Sequence, residues 1–162
     1  MEGFKKKFDM RHEEVNPTSY LGLQCEYLDL GQCKIHNEKH VKEAIGQLEK
    51  DLGIQLKKEN VAVHPKYCLE LEASRILADQ EITDCQKHIG MLQWIQSSLR
   101  FDVFLDTLSL ARHQFSAREG HLAAVIKAFG CLKKHPKRGV AIDSTEPTHA
   151  NVMEVMKPDF GN

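Results

Sequence analysis

No stretch of this 162-residue chain approaches the ~18 consecutive apolar residues of a membrane-spanning helix, so no membrane partner is expected. The cluster Lys5-Lys6-Lys7 is followed by no apolar segment, so these residues are not expected to act as a secretory signal. Neither sign of charge is in excess: 22 Lys and Arg stand against 23 Asp and Glu, a net charge of −1. Bulk charge therefore does not advertise a nucleic-acid partner, and any such surface has to be local. Cysteine is sparse and scattered, at Cys25, Cys33, Cys68, Cys85 and Cys131. An odd, dispersed set argues for reduced thiols inside the cell, cytoplasmic or nuclear, rather than for the disulfide framework of a secreted protein. Also missing are a Gly-rich phosphate loop, a Gly-x-Ser-x-Gly elbow, adjacent aspartates, internal repeats and low-complexity tracts. What remains is an ordinary globular composition, 41% hydrophobic and 28% charged. The length suffices for one domain with a real core and is short for two.

In order along the chain, residues 2–11 read as a short amphipathic helix with Phe4 and Phe8 one turn apart, broken by Asn16-Pro17. Opening so directly in a helix suggests that something precedes it in a longer protein. Residues 20–28 alternate, Leu21, Leu23, Cys25 and Tyr27 against Gly22, Gln24 and Glu26, as a half-buried strand does. Asp29-Leu30-Gly31-Gln32 supplies a turn, and Cys33-Lys34-Ile35 returns antiparallel to make a hairpin. Asn37 is placed to cap a helix carrying Val41, Ile45, Leu48 and Leu52, which Gly53 closes. From 54 to 82 the pattern loosens into a polar connection. Val61-Ala62-Val63 reads as a brief extended segment ended by His64-Pro65, and a turn of helix is compatible with the rest.

The run 83–136 is where apolar residues concentrate, and it reads as three consecutive helices. Thr83 with Gln86 forms a capping box for the first, whose buried stripe is Ile89, Leu92, Ile95 and Leu99, widened by Met91 and Trp94. Asp102 caps the second, which buries Phe104, Leu108, Ala111 and Phe115. Ser116 with Glu119 starts the third, carrying Leu122, Val125, Ile126, Phe129 and Leu132 and ending at Lys133, Lys134, His135 and Pro136. Val140-Ala141-Ile142 is a short strand beyond them, and the polar tail from 143 is expected to be poorly ordered.

Few of these residues form a chemical constellation. Cys25, Cys33, His36 and His40 offer a His-x3-His half-site, but Cys25-x7-Cys33 is not a zinc-finger spacing, and structural cysteine is the favoured reading. Cys85-x2-His88 and Cys131-x3-His135 lack a second half nearby in sequence. Asp102 and Asp106 lie one helical turn apart, although two-metal phosphoryl chemistry needs carboxylates converging on ions about 3.5–4 Å apart. Lys127, Lys133, Lys134, His135, Lys137 and Arg138 cluster. On charge alone a solvated helix end is favoured there over a phosphate-binding patch.

The segments in series carry more information than any one of them. Gln86-Lys87-His88-Ile89-Gly90-Met91-Leu92-Gln93-Trp94 resembles the Tyr-Gln-x-Leu-Ile-Gly-x-Leu-x-Trp helix of copia-type retrotransposon reverse transcriptases. Arg100-Phe101-Asp102-Val103 resembles that family's Arg-x-Asp-Ile step, and Arg118-Glu119-Gly120-His121-Leu122 its Arg-Glu-Gly-His-Leu segment. Residues 129–135 are similar to its Tyr-Leu-Lys-Lys-His segment, Tyr20-Leu21-Gly22 to its Tyr-Leu-Gly strand, and residues 39–45 to the helix after it. The likeness covers most of the chain in the family's order. Cys85 and His64-Pro65 depart from it, where the family usually has Tyr and Thr-Pro.

The resemblance implies RNA-directed DNA synthesis by the intact enzyme, with Mg²⁺ held by the aspartates of a Tyr-x-Asp-Asp turn. That turn would lie before Met1 and the ribonuclease H acids after Asn162. For this chain it implies no cofactor and no catalytic residue, only template and primer handling. The hairpin with Tyr20 and Gly22 would lie near the primer terminus, with Lys39, Lys42, Lys133, Lys134, Lys137 and Arg138 against backbone phosphates. The implied partners are an RNA–DNA or DNA template and primer and the remainder of the Pol polyprotein. A non-enzymatic protein-interaction module derived from such a fragment is the alternative. The expected fold is α+β and mostly helical. Residues 1–53 would be the palm end with its helix, hairpin and one thumb-like helix, and 54–82 a connecting segment. Residues 83–142 would be the three-helix unit with its following strand, and 143–162 a polar tail.

Overall fold

Alternating apolar residues in 20–36 and three helical stripes further on demand two kinds of element, and the protein is α+β. The computed structural model describes residues 16–28, 32–63 and 67–143. The helix expected at 2–11, the turn residues 29–31, His64-Pro65 and the tail beyond 143 lie outside the described residues.

Strands β1 (Ser19–Tyr20), β2 (Leu23–Tyr27) and β3 (Gln32–His36) lead into α1 (Glu38–Leu52). Helices α2 (Asp79–Ser97), α3 (Phe104–Ala111) and α4 (Glu119–Lys134) follow, then strand β4 (Gly139–Asp143). The four strands form one antiparallel sheet in the order β1-β2-β3-β4. The hairpin is as expected, with Cys25 opposite Ile35 and Tyr27 opposite Cys33.

One correction concerns its first strand. Residues 20–28 are not continuous, because Leu21 (φ 49°) and Gly22 (φ 83°) make a two-residue turn that folds β1 back on β2. Two successive positive φ values suit the right-handed twist of a hairpin; Gly22 adopts its value freely, while Leu21 is held there at a steric cost. The expected last strand does form, and it returns to the hairpin, Val140 pairing with Ile35 and Gly139 with His36. A Cβ at Gly139 would run into the Ile35 carbonyl oxygen and the His36 backbone, so glycine is what lets β4 close on β3.

The core lies where α1, α2 and α4 meet, around Val41, Leu48, Ile89, Leu92, Ile95, Val125, Phe129 and Leu132. Helix α1 ends at Gly53 in the left-handed conformation, its N–H donating to the Glu49 carbonyl, as its sequence predicts. Asn37 does occupy the N-cap position, but its side chain does not cap. Its Nδ2 donates to the Ile95 carbonyl at 3.3 Å, tying the start of α1 to the end of α2. The His36 ring takes over part of the capping, its Nδ1 accepting the Glu38 N–H at 3.3 Å.

Both expected capping boxes are displaced. Helix α2 begins a turn earlier than Thr83, with Glu81 accepting the Ala78 N–H at 2.7 Å. Gln86 donates instead to the Gln114 carbonyl, and Thr83 to the Asp79 carbonyl. At α4 the Arg118 N–H is taken by His121 Nδ1 at 3.1 Å, while Glu119 pairs with Arg75.

The second helix of the run differs most. Asp102 does not cap it; both its oxygens bind Arg100. Phe104, Leu108 and Phe115 are exposed, and α3 turns Val103, Thr107 and Leu110 inward instead. Leu99 is only half-buried and has φ 133°, whereas its neighbour Arg100 is the largest fully buried side chain among the described residues.

The polar connection is fastened down along its length. The Glu59 N–H donates to the Gly130 carbonyl, Leu77 to the Ala117 carbonyl, and Ile76 bridges Arg118. A single 3-10 turn, Leu69–Leu71, provides the one helical turn anticipated there, but Val61-Ala62-Val63 forms no strand.

Candidate nucleic-acid interface

Phosphate recognition needs exposed cations on one edge, held by a scaffold that keeps them in place. The hairpin and the first turns of α1 supply such an edge. Gln24 on β2 donates to the Gly22 carbonyl at 3.2 Å and accepts the Lys39 N–H at 3.2 Å, joining the tight turn to the helix. Tyr20 and Leu21 project at the turn with most of their surface exposed. Beside them Gln24, Glu38, Lys39 and Lys42 line a shallow cleft of about 260 Å³.

Lys137 arrives at the same edge from the turn before β4. Its ammonium is 2.5 Å from Glu26 on β2, and Lys42 is 2.6 Å from Glu38 one turn back on α1. The Lys137 hydrogen bond, against the opposing effect of desolvation, holds the Glu26 carboxyl below its usual range, and Lys42 does the same for Glu38. The field of Lys137 also reaches Glu38. Lys39, Lys42 and Lys137 therefore share one region, with Glu26 and Glu38 interleaved. Lys39 has no ion pair among the described residues. The pairs of Lys42 and Lys137 lie at the surface, where solvent screening keeps such pairs weak, and a phosphate can replace them at little cost.

The other four predicted contacts have different roles: Gly22 shapes the turn of this edge, and three cations are engaged by other partners. Gly22 is backbone architecture. Lys133 is half-buried and binds Glu49 at 2.7 Å and the Leu56 carbonyl at 3.1 Å, fixing α4 to α1 and the connection. Lys134 bonds Asn60, and Arg138 sits 2.9 Å from Asp102. Lys127, the remaining lysine of the basic cluster, borders a cleft of about 330 Å³ with Ala62, Tyr67, Glu72 and Gly120. There the Tyr67 hydroxyl donates to Glu72, whose carboxyl is held down at about 2 by that bond and by Ser74. Sequence reasoning missed the acids that interrupt the cations. Glu38 four residues before Lys42 was a visible signal; Glu26 and Glu49 gave none, since their partners are remote in the chain.

Among the described residues, the candidate metal ligands and paired acids do not converge at this edge. The two histidines of the possible zinc set point elsewhere: His36 faces Glu26 at 3.4 Å and Glu38, while His40 lies tilted against the Trp94 ring with centroids 3.8 Å apart. Cys25 and Cys33 are diagonal neighbours on one face, and burial, then the adjacent thiol, pushes Cys25 up. Among the described residues no three His, Cys, Asp or Glu side chains come together in a metal-holding group. Asp102 is engaged by two guanidiniums, and burial raises Asp106 despite a bond from the Val63 backbone. These acids do not fit the two-metal centre of a polymerase.

Cys85-x2-His88 likewise belongs to the interior. His88 is fully buried, with Nε2 3.2 Å from Asp51 of α1 and its ring edge-on to Phe129 of α4. Burial lowers its pKa from 6.5, outweighing Asp51 and assisted by Lys87, with Asp84 opposing. The unfolded chain therefore binds a proton that the native protein refuses. Stability is full above the unfolded value and declines as pH falls below it. Urea melts between about pH 5 and 7.5 are expected to show this loss, and His88→Gln to flatten it. An unchanged slope in the variant would assign the acid sensitivity to another group.

Among the described residues no helix is long and apolar enough to cross a membrane. The chain matches no protein-family model, no curated protein and no solved structure.

Proposed function

We propose that this chain is a piece of a copia-type retrotransposon reverse transcriptase that handles template and primer and serves as scaffold, without catalysing synthesis. The observation that carries the reading is the exposed edge where the 20–22 turn meets Lys39, Lys42 and Lys137, since the family likeness assigns that hairpin to the primer terminus. The roles of the motif residues support the scaffold half. Arg100 and Asp102 bind one another, Arg118 donates to the Ser74 carbonyl at 2.5 Å, and Glu119 pairs with Arg75. A Cβ at Gly120 would strike Glu72 and Tyr67, and His121 Nε2 lies 3.0 Å from the Leu69 carbonyl. The residues that carry the resemblance are thus the ones that fasten the connection to the helices.

The test is binding of the whole chain to an RNA–DNA duplex across a salt series, beside a primer-extension assay with Mg²⁺. The expected result is binding that weakens with salt, and no nucleotide incorporation. Replacing Lys39 and Lys42 together by Ala should lower the slope of log K against log salt by roughly 2, because each lost phosphate contact removes about 0.9. Clear dNTP incorporation would sink the non-catalytic assignment. No binding at low salt would sink the nucleic-acid one and leave the interaction module, which the exposed apolar side of α3 favours.

A further inference from the structure

Trp94 is the chain's only tryptophan, and it lies off the stripe that its spacing assigned it to. Helix α2 buries Cys85, His88, Ile89, Leu92 and Ile95, whereas Trp94 keeps 43% of its surface exposed. Its ring leans on His40 of α1, with centroids 3.8 Å apart and planes at 49°. The Ser97 and Ser98 hydroxyls both donate to its carbonyl, while its indole makes no hydrogen bond among the described residues. A single exposed apolar side chain needs no explanation by itself. This one stands at the same end of α1 as Lys39 and Lys42. Around α1, at ~100° per residue, Lys42, Lys39 and His40 follow one another over roughly 160° of the circumference. The aromatic pair therefore borders the cationic edge on the side of Lys39, the lysine there without an ion pair among the described residues.

We infer that Trp94, backed by His40, is a stacking platform for an unpaired base of the template strand, beside the lysines that meet its phosphates. This rests on the proposed handling of template and primer, and it names the part of the nucleic acid taken at this end of α1. An exposed aromatic next to cations is the pattern with which proteins hold single strands, the cations tracking the backbone and the ring taking a base. Every base has a π-face, so the platform adds affinity without sequence preference. Paired bases are already stacked on their neighbours, so a blunt duplex gains little from it. His40 suits the backing role. Burial lowers its pKa, against the field of Glu43 4.0 Å away, so at neutral pH it supports the indole as an uncharged ring. Glu43, the acid that faces His40, lies one turn beyond Lys39 and leaves the path from Lys39 to Trp94 free of its carboxylate.

Because the chain has one tryptophan, its emission reports on this site alone. The whole chain is titrated with a blunt RNA–DNA duplex and with the same duplex carrying a template overhang of about six nucleotides. Tryptophan emission and the anisotropy of a dye on the primer are followed together. The overhang should quench Trp94 and bind about five- to a hundredfold more tightly than the blunt duplex. Trp94→Ala should remove that advantage, and Trp94→Phe, which keeps a ring, should retain part of it. Far-UV circular dichroism checks that both variants fold, and the quenching of the native chain needs no variant. Two results overturn the platform: binding of the overhang with emission unchanged, or an overhang advantage indifferent to Trp94→Ala. Salt-dependent binding of both duplexes with equal affinity removes the platform and leaves the proposed function standing. Binding of neither at low salt sinks both.

Discussion

Replacing Arg100 by Ala is expected to cost about 3–5 kcal/mol, the largest loss available from any polar residue described. The guanidinium is wholly buried, and each of its three nitrogens donates a hydrogen bond. Nε and Nη2 donate to the two Asp102 oxygens at 2.8 and 2.9 Å, and Nη1 donates to the His135 carbonyl at 3.0 Å, just past the last turn of α4. The bidentate pair fixes the corner between α2 and α3, and the third bond satisfies a carbonyl at the negative end of α4. Alanine would leave Asp102 to Arg138 alone and open a void against the core. A loss of this size should lower the melting temperature by roughly 10 °C for a chain of this length. Arg100→Lys should recover only part of it, because an ammonium cannot fork across a carboxylate and also reach the carbonyl.

A pH arm adds a sign. Burial alone would raise the Asp102 carboxyl, but Arg100, helped by Arg138, holds it below its ordinary value of 3.8. That contribution is complete above the unfolded pKa and is lost as pH falls through the depressed folded value. Arg100→Ala should therefore also be less sensitive to acid in that range. A cost under about 1 kcal/mol would mean that the buried pair repays little of its desolvation.

The second large effect is expected at Phe129. It is completely buried where α4 meets α1 and α2, and Phe129→Ala should cost about 3–5 kcal/mol by removing apolar contact and leaving a cavity. A more specific consequence follows from its neighbour. The His88 ring stands edge-on to Phe129, centroids 6.3 Å apart at 86°, and burial is the main reason the His88 pKa is low. A cavity there relieves the desolvation, so the His88 pKa should rise toward 6.5 and the acid-induced loss of stability should shrink. Phe129→Leu keeps most of the volume and should cost less on both readouts. NMR titration of His88 in the two variants measures this directly. A pKa unmoved by Phe129→Ala would mean that α1 and α2 alone keep water from the ring.

What the sequence by itself determined is the set of elements whose signals are local. The hairpin, helix α1 with its stop at Gly53, the stripe of α4 and the strand at 140–142 were all legible, because alternation, helical spacing and left-handed glycine act over a few residues. The basic residues were legible as types, and the spacing of Glu38 and Lys42 held a local signal for a pair that the sequence reading did not use. Their availability was not, since Lys133 meets Glu49 and Lys137 meets Glu26 only after the chain has folded.

Tertiary structure decided the choices that local chemistry leaves degenerate. Two capping patterns compete at the start of α2, and Arg75, joining Glu81 to Glu119, favours the earlier one. Helix α3 has two apolar sides of comparable strength, and spacing alone selects the one with the larger residues. The structure turns that side outward and seats Val103, Thr107 and Leu110 against the core beside the buried Arg100 corner. A helix's facing is a property of what it packs against, and no residue within α3 encodes where Asp102, His135 and Arg138 will be.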